Sequence, residues 1–143
     1  MTRGTLLLLA ALIAPRFAAA EQAPGTPAAD GRVFELRTYF AAPGKIDALN
    51  ARFRDHTLAL FKKHGMEVIG FWMPIDKDKD PAAGDKLVYL LSFKSRAAAA
   101  EAWKAFGADP AWVAARTASE VDGRLTAKIE SVFFVGTDYS PLK

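Results

Sequence analysis

The chain contains no cysteine among its 143 residues. That absence excludes a disulfide framework, a thiol nucleophile, a thiolate metal site and a lipidated-cysteine anchor. Histidine is nearly as scarce, with only His56 and His64. On one helix they lie about 12 Å apart along the axis, too far to share a metal ion, and neither has the spacing of zinc ligands. No G-x-S-x-G elbow, zincin motif or dinucleotide fingerprint occurs. Pro43-Gly44-Lys45 lacks the glycines and the Lys-Ser/Thr pair of a phosphate loop. These absences weigh against the common hydrolase and dehydrogenase designs. Lysine and arginine form no cluster, so nothing marks a nucleic-acid footprint. The run Asp76-Lys77-Asp78-Lys79-Asp80 imitates the start of a calcium loop. Pro81 stands where that loop requires glycine, however, and Leu87 where it requires glutamate, so the run is a solvated hairpin tip. No metal or other cofactor is expected.

The first twenty residues carry a different signal. Arg3 supplies a positive start, Leu6 to Ala14 an apolar stretch, and Ala18-Ala19-Ala20 the small residues that precede a cleavage site,. The apolar stretch is shorter than the roughly 20 residues that cross a bilayer. Residues 1–20 therefore read as an export signal, and no integral membrane segment is expected after cleavage. The 19 basic residues include Arg3 and Arg16, so cleavage leaves 17 against 16 acidic ones and a nearly neutral protein. Residues 21–31 (E-Q-A-P-G-T-P-A-A-D-G) have the composition of a flexible linker. The expected location is periplasmic or secreted. Without disulfides such a protein rests on its core, which a hydrophobic content of 51% can supply.

Residues 32–143 form one domain, in which a strand–helix–strand order occurs twice. Arg32 to Tyr39 reads as a strand, Ala42-Pro43-Gly44 as a turn, and Lys45 to His64 as a helix. The helix stripe is Ile46, Leu49, Phe53, His56 or Thr57, and Leu60, at spacings of three and four. Gly65 has the position of a C′ glycine. Met66 to Met73 is a second strand, and a polar loop leads to a third at Leu87 to Phe93. Ser95 is placed to cap a helix from Arg96 to about Phe106. Pro110 restarts a short helix carrying Trp112, and Leu125 to Val135 is the fourth strand. Two such halves with right-handed crossovers predict a ferredoxin-like α+β fold: four antiparallel strands with the helices on one face.

The strands also predict an assembly. A sheet with one solvated face should alternate apolar and polar residues, but these strands are apolar on both sides. Leu87, Tyr89, Leu91 and Phe93 face one way, and Val88 and Leu90 the other. In the second strand, strict alternation puts Val68 and Trp72 together, opposite Ile69, Phe71 and Met73. Helices cover one face only, and the other would expose more apolar area than monomers tolerate. A homodimer paired through the sheet faces is the simplest cover.

Few residues offer chemistry. Glu35, Arg37 and Tyr39 share one side of the first strand. An Arg37–Glu35 or cross-strand ion pair, or an exposed edge, would explain them. Alternatively Arg37 binds an anionic or carbonyl oxygen with Tyr39 as a donor. His56, at the edge of the helix stripe, leans toward the sheet; it is either satisfied by a carbonyl or water, or a general base, or a haem ligand. His64 reads as a helix-end residue near free carbonyls. Trp72, Tyr89 and Phe93, with Trp103 and Trp112 from the second helical region, are either core filler or the walls of a pocket for a planar molecule.

Several segments carry a family likeness. F-E-L-R-T-Y at 34–39, P-G-K at 43–45, K-K-H-G at 62–65 and I-G-F-W at 69–72 resemble the NIPSNAP family. So do L-V-Y-L-L-S-F at 87–93, A-D-P-A-W at 108–112 and I-E-S-V-F-F at 129–134. The resemblance spans about residues 32–141 and implies a dimeric α/β barrel, in which ferredoxin-like protomers pair sheet to sheet. That superfamily includes cofactor-free quinone-forming monooxygenases and haem-binding enzymes, whereas NIPSNAP members mostly lack an assigned reaction. The mitochondrial and vesicle roles of better-studied members do not suit an exported chain. The resemblance and the residues together imply an exported homodimer that binds a small apolar or aromatic molecule, or a protein partner, in a helix–sheet cavity. The alternative is a cofactor-free monooxygenase or isomerase acting on an aromatic or quinol-type substrate, with His56 as base. Haem binding through His56 is a third implication.

Overall fold

The structure is a computed structural model that describes residues 31–143. The expected export signal, and all of the linker before residue 31, lie outside the described residues. Strand β1 (Val33–Ala41) leads through a turn, in which Gly44 takes φ 71°, to three unbroken helical pieces. These are α1 (Ile46–Arg52), a π turn (Phe53–Thr57) and α2 (Leu58–Lys63). Then come β2 (Glu67–Trp72), β3 (Lys86–Phe93), α3 (Arg96–Ala108), α4 (Pro110–Ser119) and β4 (Thr126–Val135). The sheet order is β2-β3-β1-β4 with every neighbouring pair antiparallel. This is the ferredoxin-like α+β architecture that the strand–helix order predicts.

Local chemistry sets the helix ends. The Met66 N–H donates to the Phe61 carbonyl at 2.9 Å and that of Gly65 to Lys62 at 3.2 Å. Together they make a Schellman closure, which needs a left-handed residue; Gly65 provides it at φ 69°,. Met66 and Phe61, the apolar pair that accompanies this motif, are both buried. Ser95 caps α3, its hydroxyl accepting from the Ala98 N–H at 3.1 Å. Asp109 serves two helices. Its N–H closes α3 on Phe106, and its carboxylate accepts from the Ala111 N–H at 2.9 Å to start α4, with Pro110 in the first turn where no donor is needed,.

The first helical segment is not the continuous α-helix that its stripe suggests. The π turn inserts one residue between the two halves, and the stripe continues through Thr57 rather than His56. Leu49, Phe53, Thr57, Leu60 and Phe61 are buried, while His56 is exposed. The expectation that His56 leans toward the sheet is thereby corrected. The Thr57 hydroxyl donates to the Arg52 carbonyl at 3.2 Å, which helps to satisfy the widened turn,.

Strand pairing assigns the faces. Glu35, Arg37 and Tyr39 lie opposite Leu91, Tyr89 and Leu87 of β3, all on the helix-covered side. There Tyr39, Phe53, Phe61, Phe71 and Tyr89 pack with ring centroids 5.1–6.2 Å apart in tilted and edge-on geometries,. On the other side, Trp72, Val132 and Phe134 remain 52%, 51% and 46% exposed, with Leu36, Val88 and Leu90 partly covered beside them. Both sides of the sheet are apolar, as the strands suggested, and the helices cover one.

Strict alternation fails in β2. The pairing shifts between Val68 and Gly70, so Val68 lies opposite Leu91 but Trp72 opposite Val88. This bulge puts Val68 and Phe71 in the core and sends Trp72 to the open face,. The indole lies over Gly70, where an added β-carbon would come within 2.7 Å of it.

Candidate functional site

Beneath α3 a polar cluster is built into the apolar core. Glu35 is fully buried and accepts three hydrogen bonds. Arg37 Nη1 and Ser131 Oγ donate to one carboxylate oxygen at 2.7 and 2.6 Å, and Trp103 Nε1 to the other at 2.5 Å. The Arg37 guanidinium stacks on the Trp103 ring at 4.2 Å and lies 5.6 Å from that of Tyr39. Burying a carboxylate is costly unless it is paired and hydrogen-bonded, and these partners do both. The arrangement locks β1, β4 and α3 together. Beside it the Tyr89 hydroxyl is buried with no hydrogen-bond partner, as is Arg37 Nε. Burial drives the Tyr89 pKa well above its ordinary value, and the nearby Tyr39 phenol raises it further without meeting hydrogen-bond geometry with it.

Next to this cluster a cleft of about 670 Å³ opens between α4 and the β1–β4 edge of the sheet. Its apolar walls include Tyr39, Trp112 and Ile129; its polar lining includes Arg52, Arg116, Thr117, Glu120, Arg124 and Thr126. Arg52 leaves α1 just before the π turn and is buried. Its Nη1 donates to Glu120 at 2.9 Å and to Ser119 Oγ at 3.3 Å, and its guanidinium lies 5.2 Å from the Trp112 ring centre. An aromatic wall with a few convergent polar groups has the composition of a small-molecule site.

The predicted residues do not gather in one site. Tyr39 and Trp112 meet in the cleft. Arg37, Trp103 and Tyr89 belong to the adjoining cluster, with Arg37 held by Glu35 as the ion-pair reading anticipated. Phe93 is buried core, paired with Val33 at the end of β1 remote from Tyr39. Trp72 faces away on the open side of the sheet. His56 lines a second groove with Ala51, Asp55 and Ala118, which shares Arg52 with the cleft but no other residue. His64 meets a carboxylate rather than free carbonyls: its Nε2 lies 2.8 Å from Asp109 Oδ2, which also accepts from Lys63 at 2.7 Å. Donation from Lys63, then His64, then the Ala111 amide holds the Asp109 carboxyl well below the usual carboxylate range. Among the described residues no group of three or more His, Asp or Glu side chains is arranged to hold a metal ion, and no helix is long and apolar enough to cross a membrane.

Arg52, Arg116, Glu120 and Arg124 were not singled out from the sequence. The one signal for Arg52 is a charged residue three after Leu49, at the edge of an apolar stripe. Nothing in the spacing of the other three points to a common site.

The fold and its cleft define a ferredoxin-like domain with one covered and one open sheet face. Residues 34–141 match the NIPSNAP family, and the chain belongs to it. Among solved structures, a NIPSNAP family protein of unknown function from Agrobacterium tumefaciens is 24% identical, covering 80% of this chain and 96% of that one with a TM-score of 0.66. A second Agrobacterium tumefaciens NIPSNAP family protein is 21% identical over 78% of this chain and 99% of its own, also at 0.66. An uncharacterized NIPSNAP-like domain protein from Burkholderia xenovorans is 16% identical over 78% and 90%, at 0.65. No curated protein matches the chain.

Proposed function

We propose that this NIPSNAP protein is an exported homodimer that binds a small apolar or aromatic molecule in the cleft between α4 and the β1–β4 edge. The observation that carries the proposal is the cleft itself. Its volume of about 670 Å³ falls within the roughly 300–1,000 Å³ of ligand sites, and Tyr39, Trp112 and Ile129 give it apolar walls. Trp112 is a built-in reporter. Titration with a neutral naphthalene such as 2-naphthamide should quench its fluorescence saturably, and Trp112→Phe should remove the part of the signal that saturates. Absence of saturable binding of every naphthalene probe, neutral or anionic, by calorimetry would overturn the proposal.

Dimerisation is supported by the open sheet face. Trp72, Val132 and Phe134 are large apolar side chains about half exposed on one surface, and a second copy of that surface would bury them. Sedimentation should give twice the protomer mass, and Trp72→Glu combined with Val132→Lys should give single protomers. A wild-type monomer at micromolar concentration would remove the dimer from the proposal. Export rests on the sequence of residues 1–20 alone, and a host-purified protein that retains them would refute it.

The alternative, a cofactor-free monooxygenase or isomerase with His56 as base, needs the imidazole at the ligand. His56 lies outside the cleft, and no other histidine lines it. Haem ligation by His56 meets the same obstacle. The binding reading is therefore the one favoured.

A further inference from the structure

We infer that the ligand of this cleft is an oxyanion, a carboxylate or phosphate carried on a flat apolar body, and that Arg52 is its principal anchor. The inference rests on the cleft being a ligand site and adds the chemical class of the ligand. Arg52 is buried, with only 4% of its side chain exposed. Its bonds to Glu120 and Ser119 both use Nη1. Nε is buried without an acceptor, and Nη2 has none among the described residues. These two nitrogens form one edge of the guanidinium, the edge whose parallel N–H groups match the two oxygens of a carboxylate or phosphate. A buried donor without a partner is costly, so a ligand oxygen on that edge relieves a penalty the unliganded protein carries.

The surroundings favour the same sign of charge. Residues 21–143 carry 17 basic against 16 acidic residues, yet the cleft lining holds Arg52, Arg116, Arg124 and Lys128 against a single acidic residue, Glu120. Glu120 is already engaged by Arg52, while Arg116 and Arg124 form no ion pair among the described residues. A cleft lined by one sign of charge over low-dielectric walls concentrates ligands of the other sign. Trp112 and Ile129 supply the apolar contact for the body of the ligand. The π turn contributes as well, since the Thr57 hydroxyl holds the Arg52 carbonyl and so fixes the backbone from which the guanidinium enters the cleft.

Calorimetric titration of the full mature protein with three matched probes tests this: 2-naphthoate, 2-naphthyl phosphate and neutral 2-naphthamide. At least one anion should bind about tenfold or more tighter than the amide, the advantage expected of charge-assisted hydrogen bonds. Which anion binds better identifies the oxyanion. The double variant Arg116→Gln/Arg124→Gln, changed only at exposed positions, should lose the smaller part of that advantage without weakening the amide. Arg52→Lys keeps the charge but loses the fork, and should lose the rest. If the amide binds as tightly as both anions, or if the variants keep the full advantage, the inference fails while the cleft remains a binding site. If none of the three probes binds, the ligand-site reading and the inference fall together.

Discussion

Removing one oxygen atom from the interior should make this protein more stable. The Tyr89 hydroxyl is buried and meets no hydrogen-bond partner, while its ring packs against Tyr39, Phe53, Phe61 and Phe71. Tyr89→Phe keeps those ring contacts and deletes a polar group whose unsatisfied burial costs about 1–3 kcal/mol. Some of that cost is already relaxed in any real interior, so a gain of about 1 kcal/mol at neutral pH is the working figure. Alkaline titration sharpens the test. Burial, then Tyr39, raises the folded-state pKa of Tyr89 well above 10. In the unfolded chain the phenol ionises near 10. Its contribution is therefore fully present below about pH 10 and lost above it, at up to about 1.4 kcal/mol per pH unit, until the folded pKa is reached. Urea denaturation of the two proteins at pH 7 and again above pH 10 reads both effects, and the advantage of the variant should widen at the alkaline end. A loss of 1 kcal/mol or more at pH 7 would refute the reasoning, because it would mean that the hydroxyl is bonded.

Three further outcomes follow from the geometry. Glu35→Gln deprives Arg37 of its carboxylate and turns an amide donor toward at least one existing donor; it should cost about 3 kcal/mol in urea denaturation, the low end for breaking a buried pair because Arg37 keeps some contact with water. A cost below about 1 kcal/mol would show that the carboxylate is not held as described. Gly65→Ala places a side chain at φ 69° with no atom within 4 Å of the new β-carbon, so the expected loss of about 1 kcal/mol is backbone strain alone; a neutral result would exclude the left-handed conformation. Asp109 has a lowered folded pKa, so its contribution is present above about pH 4, the unfolded value, and disappears as the pH falls from there toward the folded value. Asp109→Asn should flatten the acid limb of the stability profile below pH 4, and an unchanged limb would count against the Lys63 and His64 contacts.

Much of the architecture is legible in the amino-acid order because the relevant signals are local. Ser95, Gly65 and Pro110 each act within a turn of their own position, and all three stand where spacing put them. Alternation in β1 and β3 is unbroken, so the faces of Arg37 and Tyr89 were assigned correctly by counting. Counting fails at two positions, for the same reason. An extra residue in the first helix turns His56 outward, and an irregularity in β2 turns Trp72 to the opposite side from Val68. Neither insertion has a composition signal, because each is decided by long-range packing. The cleft was harder still. Arg52, Arg116, Glu120 and Arg124 come from α1, α4 and the turn before β4, and only the folded chain brings them together.

The widened turn between α1 and α2 also separates two structural obligations. The α1 segment packs against α4, and α2 against β2. A continuous α-helix would tie both contacts to a single rotational phase, so a change that suited one neighbour would disturb the other. With a spare residue between them, each half keeps its own orientation. Deleting one residue from 53–57 would couple the two again and swing Arg52 relative to the sheet by about 100°, so the loss of a single residue from this short stretch would reshape the cleft.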